Sequence, residues 1–181
     1  MRIFGIDPGS RRTGYGCIET DGTRCRLVLC GAVVSPSSVS FPDKLTGIFD
    51  ELIVRLESCR PSVVAVEEVF NARNAKSALK LGQARGVALL AAAKTGLPVA
   101  EYTATAVKRA VVGYGRADKE QVQRMVTLLL GLEKAPSPHD VSDALAIAIC
   151  HAYAGSLAET AGRSSGSKTS VKSWRRFRPS V

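Results

Sequence analysis

The chain reads as an α/β domain in three layers around a mixed sheet, and three features carry that reading. Three strand-like segments come first, joined as an antiparallel meander. After them, apolar runs alternate with segments of helical period, the pattern of strands linked by crossover helices. Apolar residues make up 45% of 181 positions, enough for one domain with a sizeable core.

Residues 2–7 form a short apolar run that ends on a carboxylate, Asp7, followed at once by Pro8-Gly9. Residues 14–19 and 26–34 read as the next two strands, and Asp21-Gly22 marks the turn between them. A loop rich in Ser and Pro covers 35–42. Residues 43–59 carry apolar side chains at 45, 48, 49, 52, 53 and 56, a helical period. The β-branched run 62–67, SVVAVE, suits a central strand. A long helix is expected over 74–95, a short strand over 97–102, and helices over 104–112, 118–131 and 138–154. From residue 155 the composition turns to Ser, Gly, Thr and Arg without an apolar face. The division is therefore a domain over 1–154 and a basic tail over 155–181, expected to be disordered.

The segment SALKLGQARGVALLAAAK is apolar or small nearly all round, more than a helix lying on a sheet needs. Ala78, Gly82 and Gly86 form a small-residue stripe on which another helix can approach closely. The expectation is a helix with one side on the sheet and the other on a second subunit.

Charge narrows the function class. The net charge is +9. Between residues 69 and 117 eight bases face one acid, Glu101, a balance that suits a polyanion such as nucleic acid. No apolar run approaches the ~18 residues of a membrane span. Asp7 and Arg11 interrupt any signal-peptide core. Five cysteines without a CxxC pair argue against a disulfide framework or a zinc cluster, and the chain is expected to be cytoplasmic.

A carboxylate at the end of a buried strand is costly unless a cation meets it, so the other acids matter. Glu67 and Glu68 end the second apolar strand. Neighbouring strand residues point to opposite faces, so only one of them can meet Asp7. Asp140 and Asp143 are three apart on one helix face. Asp140 also fits a capping arrangement, with Ser137 as N-cap and Pro138 as the first helical residue. Asp7, one of the two glutamates and the two aspartates together make an all-oxygen donor set, suited to Mg²⁺ or Mn²⁺. Two such ions can run in-line phosphodiester hydrolysis, one activating water and the other stabilising the leaving oxygen.

The segments GIDPGSRRTGYG, VEEVFNARNAKSALKLGQARGVALLAAA, VKRAVVGYGRADKEQV and DVSDALAIAICH resemble, in order over residues 2–154, the RuvC family of bacterial Holliday-junction resolvases. The resemblance implies an RNase H-like fold with a five-stranded mixed sheet flanked by helices. It implies a homodimer that nicks two symmetric strands of four-way junction DNA with Mg²⁺, two ions per site, for which Mn²⁺ can substitute. It assigns catalysis and metal binding to Asp7, Glu67, Asp140 and Asp143, and so favours Glu67 over Glu68. His139 sits one residue early and is not counted as a ligand. Phe70 matches an aromatic near the junction centre, able to stack on an unpaired base. Lys108 and Lys119 match basic positions near DNA. Arg73, Asn74 and Lys76 follow Phe70 as backbone contacts, and Arg11 and Arg12 lie beside Asp7, where they can meet phosphate. The branch-migration proteins RuvA and RuvB are partners by the same resemblance.

Rival readings are a junction-binding protein without catalysis, and another RNase H-like nuclease acting on RNA or simple duplex. A third is an ATPase of the actin and hexokinase type, whose phosphate loop GIDPGS resembles. That fold needs two lobes, and the chain has room for one.

Overall fold

A computed structural model of the chain describes residues 1–68 and 74–164, with side chains through residue 154. Its strands are β1 (Arg2–Asp7), β2 (Arg12–Thr20), β3 (Cys25–Val34), β4 (Val63–Glu68) and β5 (Val99–Thr103). They form one sheet in the order β3-β2-β1-β4-β5. The first three pair antiparallel as a meander, whereas β4 pairs parallel with both β1 and β5. The sheet is therefore mixed, with its two parallel pairings at the end reached by crossover helices.

The helices are α1 (Phe41–Cys59), α2 (Ala75–Lys94), α3 (Ala104–Val112), α4 (Lys119–Leu129) and α5 (His139–Ser164). Local chemistry sets their starts. The side chains of Ser40, Asn74 and Thr103 accept from backbone N–H groups in the first turns of α1, α2 and α3. Asp118 and Gln121 form a reciprocal capping box on α4. Each such cap is worth about 1 kcal/mol.

Strand alternation divides the core in two. Ile3, Ile18, Val63 and Ala65 face α3, α4 and α5, packing with Val107, Val126, Leu145 and Ile149. Phe4, Ile6, Cys17, Val64 and Val66 face the opposite way, against Leu52 and Leu56 of α1 and Ala84, Ala88 and Ala91 of α2. On its first face the sheet carries α5 across β1 and β2, with α3 and α4 on its flanks. That is why Ala144–Cys150 can be apolar at every position and buried at every position.

Several boundaries differ from expectation. β2 begins at Arg12, two residues early, because the strand continues back along Val34 of β3. β5 begins at Val99 after a turn through Gly96, whose φ is +72°. α1 starts at Phe41, set by its Ser40 cap. α5 starts at His139 rather than Pro138 and runs to Ser164, past the domain end placed at 154.

Candidate active site

Asp7 closes β1 and pairs with Gly14 of β2. Counting back by twos puts Asp7 on the face of Gly5 and Ile3, towards α5. β4 runs parallel beside β1 with Ile6 opposite Val66, so Glu67 lies next to Asp7. Glu67 follows Val63 and Ala65 on the α5 face, while Glu68 follows Val64 and Val66 on the other. Strand parity thus separates the two glutamates that the residues alone leave equivalent.

Glycines bring the other two acids in. A Cβ on Gly14 would lie 1.9 Å from the Asp140 carbonyl oxygen, and one on Gly5 would lie 2.0 Å from that of Ala144. At both positions the α5 backbone rests where a side chain would otherwise be. The start of α5 is thereby held against the end of β1, with Asp140 over the residue that pairs with Asp7. The signal was in the sequence, since isolated glycines inside strands mark close backbone approach. The turn between β1 and β2 is fixed as well. Buried Thr13 donates through Oγ1 to the Gly9 carbonyl at 3.0 Å, and Gly9 N–H donates back to Oγ1 at 3.4 Å.

Asp7, Glu67 and Asp143 line one cleft of ≈ 250 Å³ together with Lys108 and Lys119. A wider depression beside it, ≈ 570 Å³, takes in Asp7, Glu67, Glu68, Lys119 and Asp140. Lys119 Nζ donates to Asp143 Oδ2 at 3.1 Å, and Arg12 Nη1 donates to Asp140 Oδ2 at 3.0 Å. Burial and then the neighbouring charges of Glu67 and Asp143 hold the Asp7 carboxyl well above the usual carboxylate range. Glu67 is also raised, first by burial and then by Asp143, against a hydrogen bond with Asp7 and the pull of Lys119 and Lys108. Burial works to lower Lys119, but Asp143 outweighs it and the ammonium is raised overall. The protein has thus gathered more negative charge around Asp7 than its own cations offset.

That donor set fits hard divalent cations in its chemistry: four carboxylates, no thiolate and no imidazole. Among the described residues, no three His, Cys, Asp or Glu side chains already stand in ion-holding positions. Asp140 and Asp143 are instead held by Arg12 and Lys119.

The other expected site residues divide. Lys108 and Lys119 reach the cleft. Arg11 and Arg12 reach a separate groove along with Lys76, and Arg12 also touches Asp140, a contact the chain order does not announce. Asn74 is exposed but spends its side-chain oxygen on the Ser77 N–H at 2.9 Å, as the α2 cap. Phe70 and Arg73 lie outside the described residues. The expected start of α5 is shifted from Pro138 to His139, so Asp140 stays in the first turn, and its side chain pairs with Arg12. One positioning residue was not anticipated. Arg85 on α2 donates through Nε to the Glu67 carbonyl at 3.2 Å and pairs with Glu101 on β5. It ties the end of β4 to its neighbours.

The model of the family "Crossover junction endodeoxyribonuclease RuvC" matches residues 3–151. The chain belongs to the RuvC family. A curated member from Pelobacter propionicus is 52% identical over 179 residues, covering 99% of this chain and 100% of its own length. One from Citrifermentans bemidjiense is 55% identical over 157 residues, 87% of this chain and 95% of its own. Among solved structures, Thermus thermophilus RuvC in complex with a Holliday junction substrate superposes with TM-score 0.83 at 38% identity, covering 87% of this chain and 96% of that one. The fold is RNase H-like, as these RuvC neighbours are, and the family's activity makes the chain a nuclease.

Proposed function

We propose that this chain resolves four-way Holliday junctions by paired, symmetric, metal-dependent nicks during recombination and DNA repair. The observation that carries the reading is the cleft in which Asp7, Glu67 and Asp143 stand together with Lys108 and Lys119, in a chain of the RuvC family. A relative of known structure is bound to a Holliday junction, which supports the choice of substrate.

Asp7, Glu67, Asp140 and Asp143 would hold Mg²⁺, two ions per site, with Mn²⁺ able to replace it. Bound divalent ions supply a nucleophilic water and charge stabilisation for the leaving oxygen. The side chains do the rest. Asp7 and Glu67 fix the position of the negative charge, because both sit on strand ends rather than on loops. Lys119 and Lys108 bring positive charge to the same cleft, where the non-bridging oxygens of a phosphate need partners. Arg85 keeps the end of β4 in register.

Paired nicks need two sites, and the outer side of α2 supports a homodimer. Leu79 is 70% exposed and Leu90 57% exposed on that side. Gly82 and Gly86 lie open between them, with nothing among the described residues within 4 Å of a Cβ placed there. RuvA and RuvB are the proposed partners for branch migration, and the cytoplasm is the proposed site of action. All five cysteines are free, in keeping with a reducing compartment. Among the described residues, no helix is long and apolar enough to cross a membrane.

The deciding experiment compares a synthetic four-way junction with a linear duplex of the same sequence, with and without Mg²⁺. Symmetric nicks confined to the junction and to the metal are expected. Asp7→Asn should abolish nicking and leave junction affinity in EDTA equal or higher, because a negative charge facing phosphate is removed. Equal cutting of the duplex would overturn junction selectivity, and loss of binding by Asp7→Asn would overturn its role as a metal ligand.

A further inference from the structure

We propose that Tyr102 and His151 form a positioning pair, which fixes the gap between the acids on the strands and the acids on α5 and so sets the grip of the site on a divalent cation. The proposal rests on the metal-dependent nuclease reading and adds two residues to it, neither of which lines the acidic cleft.

Tyr102 stands directly opposite Glu67 in the parallel pairing of β5 with β4. Neighbouring strands lie about 4.8 Å apart, so the two side chains leave the sheet side by side. Both leave it on the α5 face, where Ala100 and Tyr102 pack into the same core as Ala65, Leu145 and Ile149. Tyr102 Oη lies 2.7 Å from Nδ1 of His151 on α5. The two rings meet edge to face at 76°, with centres 5.8 Å apart. His151 follows Asp143 and Ile147 at intervals of four along the helix, and both of those line the cleft. It sits about 12 Å along the helix from Asp143, and its Cβ leans back towards the helix N-terminus and the site. Burial lowers His151 and raises Tyr102, so a neutral imidazole meets an intact phenol.

A half-buried phenol needs a partner for its hydroxyl, and a water or a backbone carbonyl would serve. A partner on α5 has a mechanical consequence. The four acids come from two bodies, Asp7 and Glu67 from the sheet, Asp140 and Asp143 from the helix. Near β1 and β2 the separation of these bodies is set by backbone contact, because Gly5 and Gly14 let α5 rest on the sheet. β4 and β5 contain no glycine, and α5 lies mainly over β1 and β2. On that side the separation depends on side chains. Glu67 is tied to Tyr102 by the strand ladder, Tyr102 to His151 by the hydrogen bond, and His151 to Asp143 by two turns of helix. Without the hydrogen bond, α5 is free to rock on its glycine seat, which moves Asp143 from Glu67 while Asp140 stays over Gly14. A small hard cation demands close to ideal ligand distances, so a small change in that gap reaches its affinity. Arg85 holds the Glu67 carbonyl from the opposite face of the sheet, and the end of β4 is thus steadied from both sides.

The test is a calorimetric Mn²⁺ titration of the full, DNA-free chain. Tyr102→Phe keeps the ring and removes the hydroxyl, and His151→Leu removes the acceptor. Each should weaken Mn²⁺ binding about three- to tenfold, less than the loss of a group bonded to a ligand itself. The double variant should lose no more than either alone, because one link is cut once. His151→Asn, whose amide oxygen can stand in for Nδ1, should restore the parent value. Junction affinity in EDTA should stay at the parent value throughout. Ile48→Val, a core change on the far face that lowers the melting temperature, should leave Mn²⁺ binding unaltered. Parent affinity in Tyr102→Phe, additive losses in the double variant, or an equal loss in Ile48→Val each overturn the pair. If the parent chain takes up no Mn²⁺, the metal reading fails instead, and amide exchange in EDTA still decides the pair. Exchange along β5 and the start of α5 should be faster in Tyr102→Phe and parental in His151→Asn; unchanged exchange in Tyr102→Phe overturns the tie.

Discussion

Helices α5 and α2 lie on opposite faces of one sheet, and both are apolar or small around most of their circumference. Over Ala144–Cys150, α5 is enclosed by β1, β2, α3 and α4. α2 packs Ala84, Ala88, Ala91 and Ala92 inward and leaves Leu79, Gly82, Gly86 and Leu90 on its outer side. The glycines record the same contrast. Gly5 and Gly14 are places where another backbone already fills the space of a side chain, whereas Gly82 and Gly86 face open space. Small residues therefore serve different ends on the two faces. On one they seat the helix that carries two of the acids; on the other they leave an exposed surface, the one proposed above for a second copy of the chain.

The sharpest way to break this comparison is to make the same substitution on each face. Gly14→Ala drives a methyl group into the Asp140 carbonyl and should cost about 3 kcal/mol, read as a lowered urea midpoint, with loss of nicking. Gly86→Ala should stabilise the isolated subunit by roughly 0.5–1 kcal/mol through helix propensity, while weakening self-association in sedimentation. Gly14→Ala with parent stability would show that α5 has room to move, and the contrast would fail.

A smaller effect sharpens the account of the α5 face. The Asp7 carboxyl holds its proton more tightly in the folded chain than the ordinary value of 3.8, chiefly through burial and then the charges of Glu67 and Asp143. Its contribution favours folding at low pH. That contribution is lost as pH rises from the unfolded value through the raised folded one, and changes no further above it. In EDTA, the melting temperature of Asp7→Asn should therefore exceed that of the parent by a gap that widens with pH over that window. Mg²⁺ should narrow the gap by stabilising only the parent. A gap independent of pH would show that the Asp7 carboxyl is not raised by its burial and its neighbours.

The smallest effect concerns Arg12. Its pairing with Asp140 is partly exposed, and such pairs are worth less than about 1 kcal/mol. Arg12→Ala should lower the concentration of Mn²⁺ needed to half-fill the DNA-free protein by about two- to fivefold, measured by calorimetric titration. An unchanged value would mean that Arg12 does not compete with a cation for Asp140.

Local chemistry made much of this legible in advance. The stop of β1 on a carboxylate, the Asp21-Gly22 turn and the period of α1 are all short-range signals, set by alternation and turn chemistry within a few residues. The choice between Glu67 and Glu68 was not of this kind. It depends on which residue of β1 stands opposite Val66, and register between strands some 60 residues apart is a property of the sheet. The family resemblance pointed to Glu67, and the pairing supplies the physical reason. The ends of α5 differ from expectation for another cause: they lie beyond the apolar run Ala144–Cys150, where the sequence carries no periodic apolar face by which a limit can be read.

By itself, the order of residues determined the α/β class, the five strands and the acids available for a site, because each of these follows from propensity, period or charge. Only the tertiary structure decided that Gly14 lies beneath Asp140, that Arg12 neutralises that acid, that Arg85 steadies Glu67, and that Tyr102 meets His151. Those partners are brought together by packing across the sheet and between helices, where distance along the chain carries no information about distance in space.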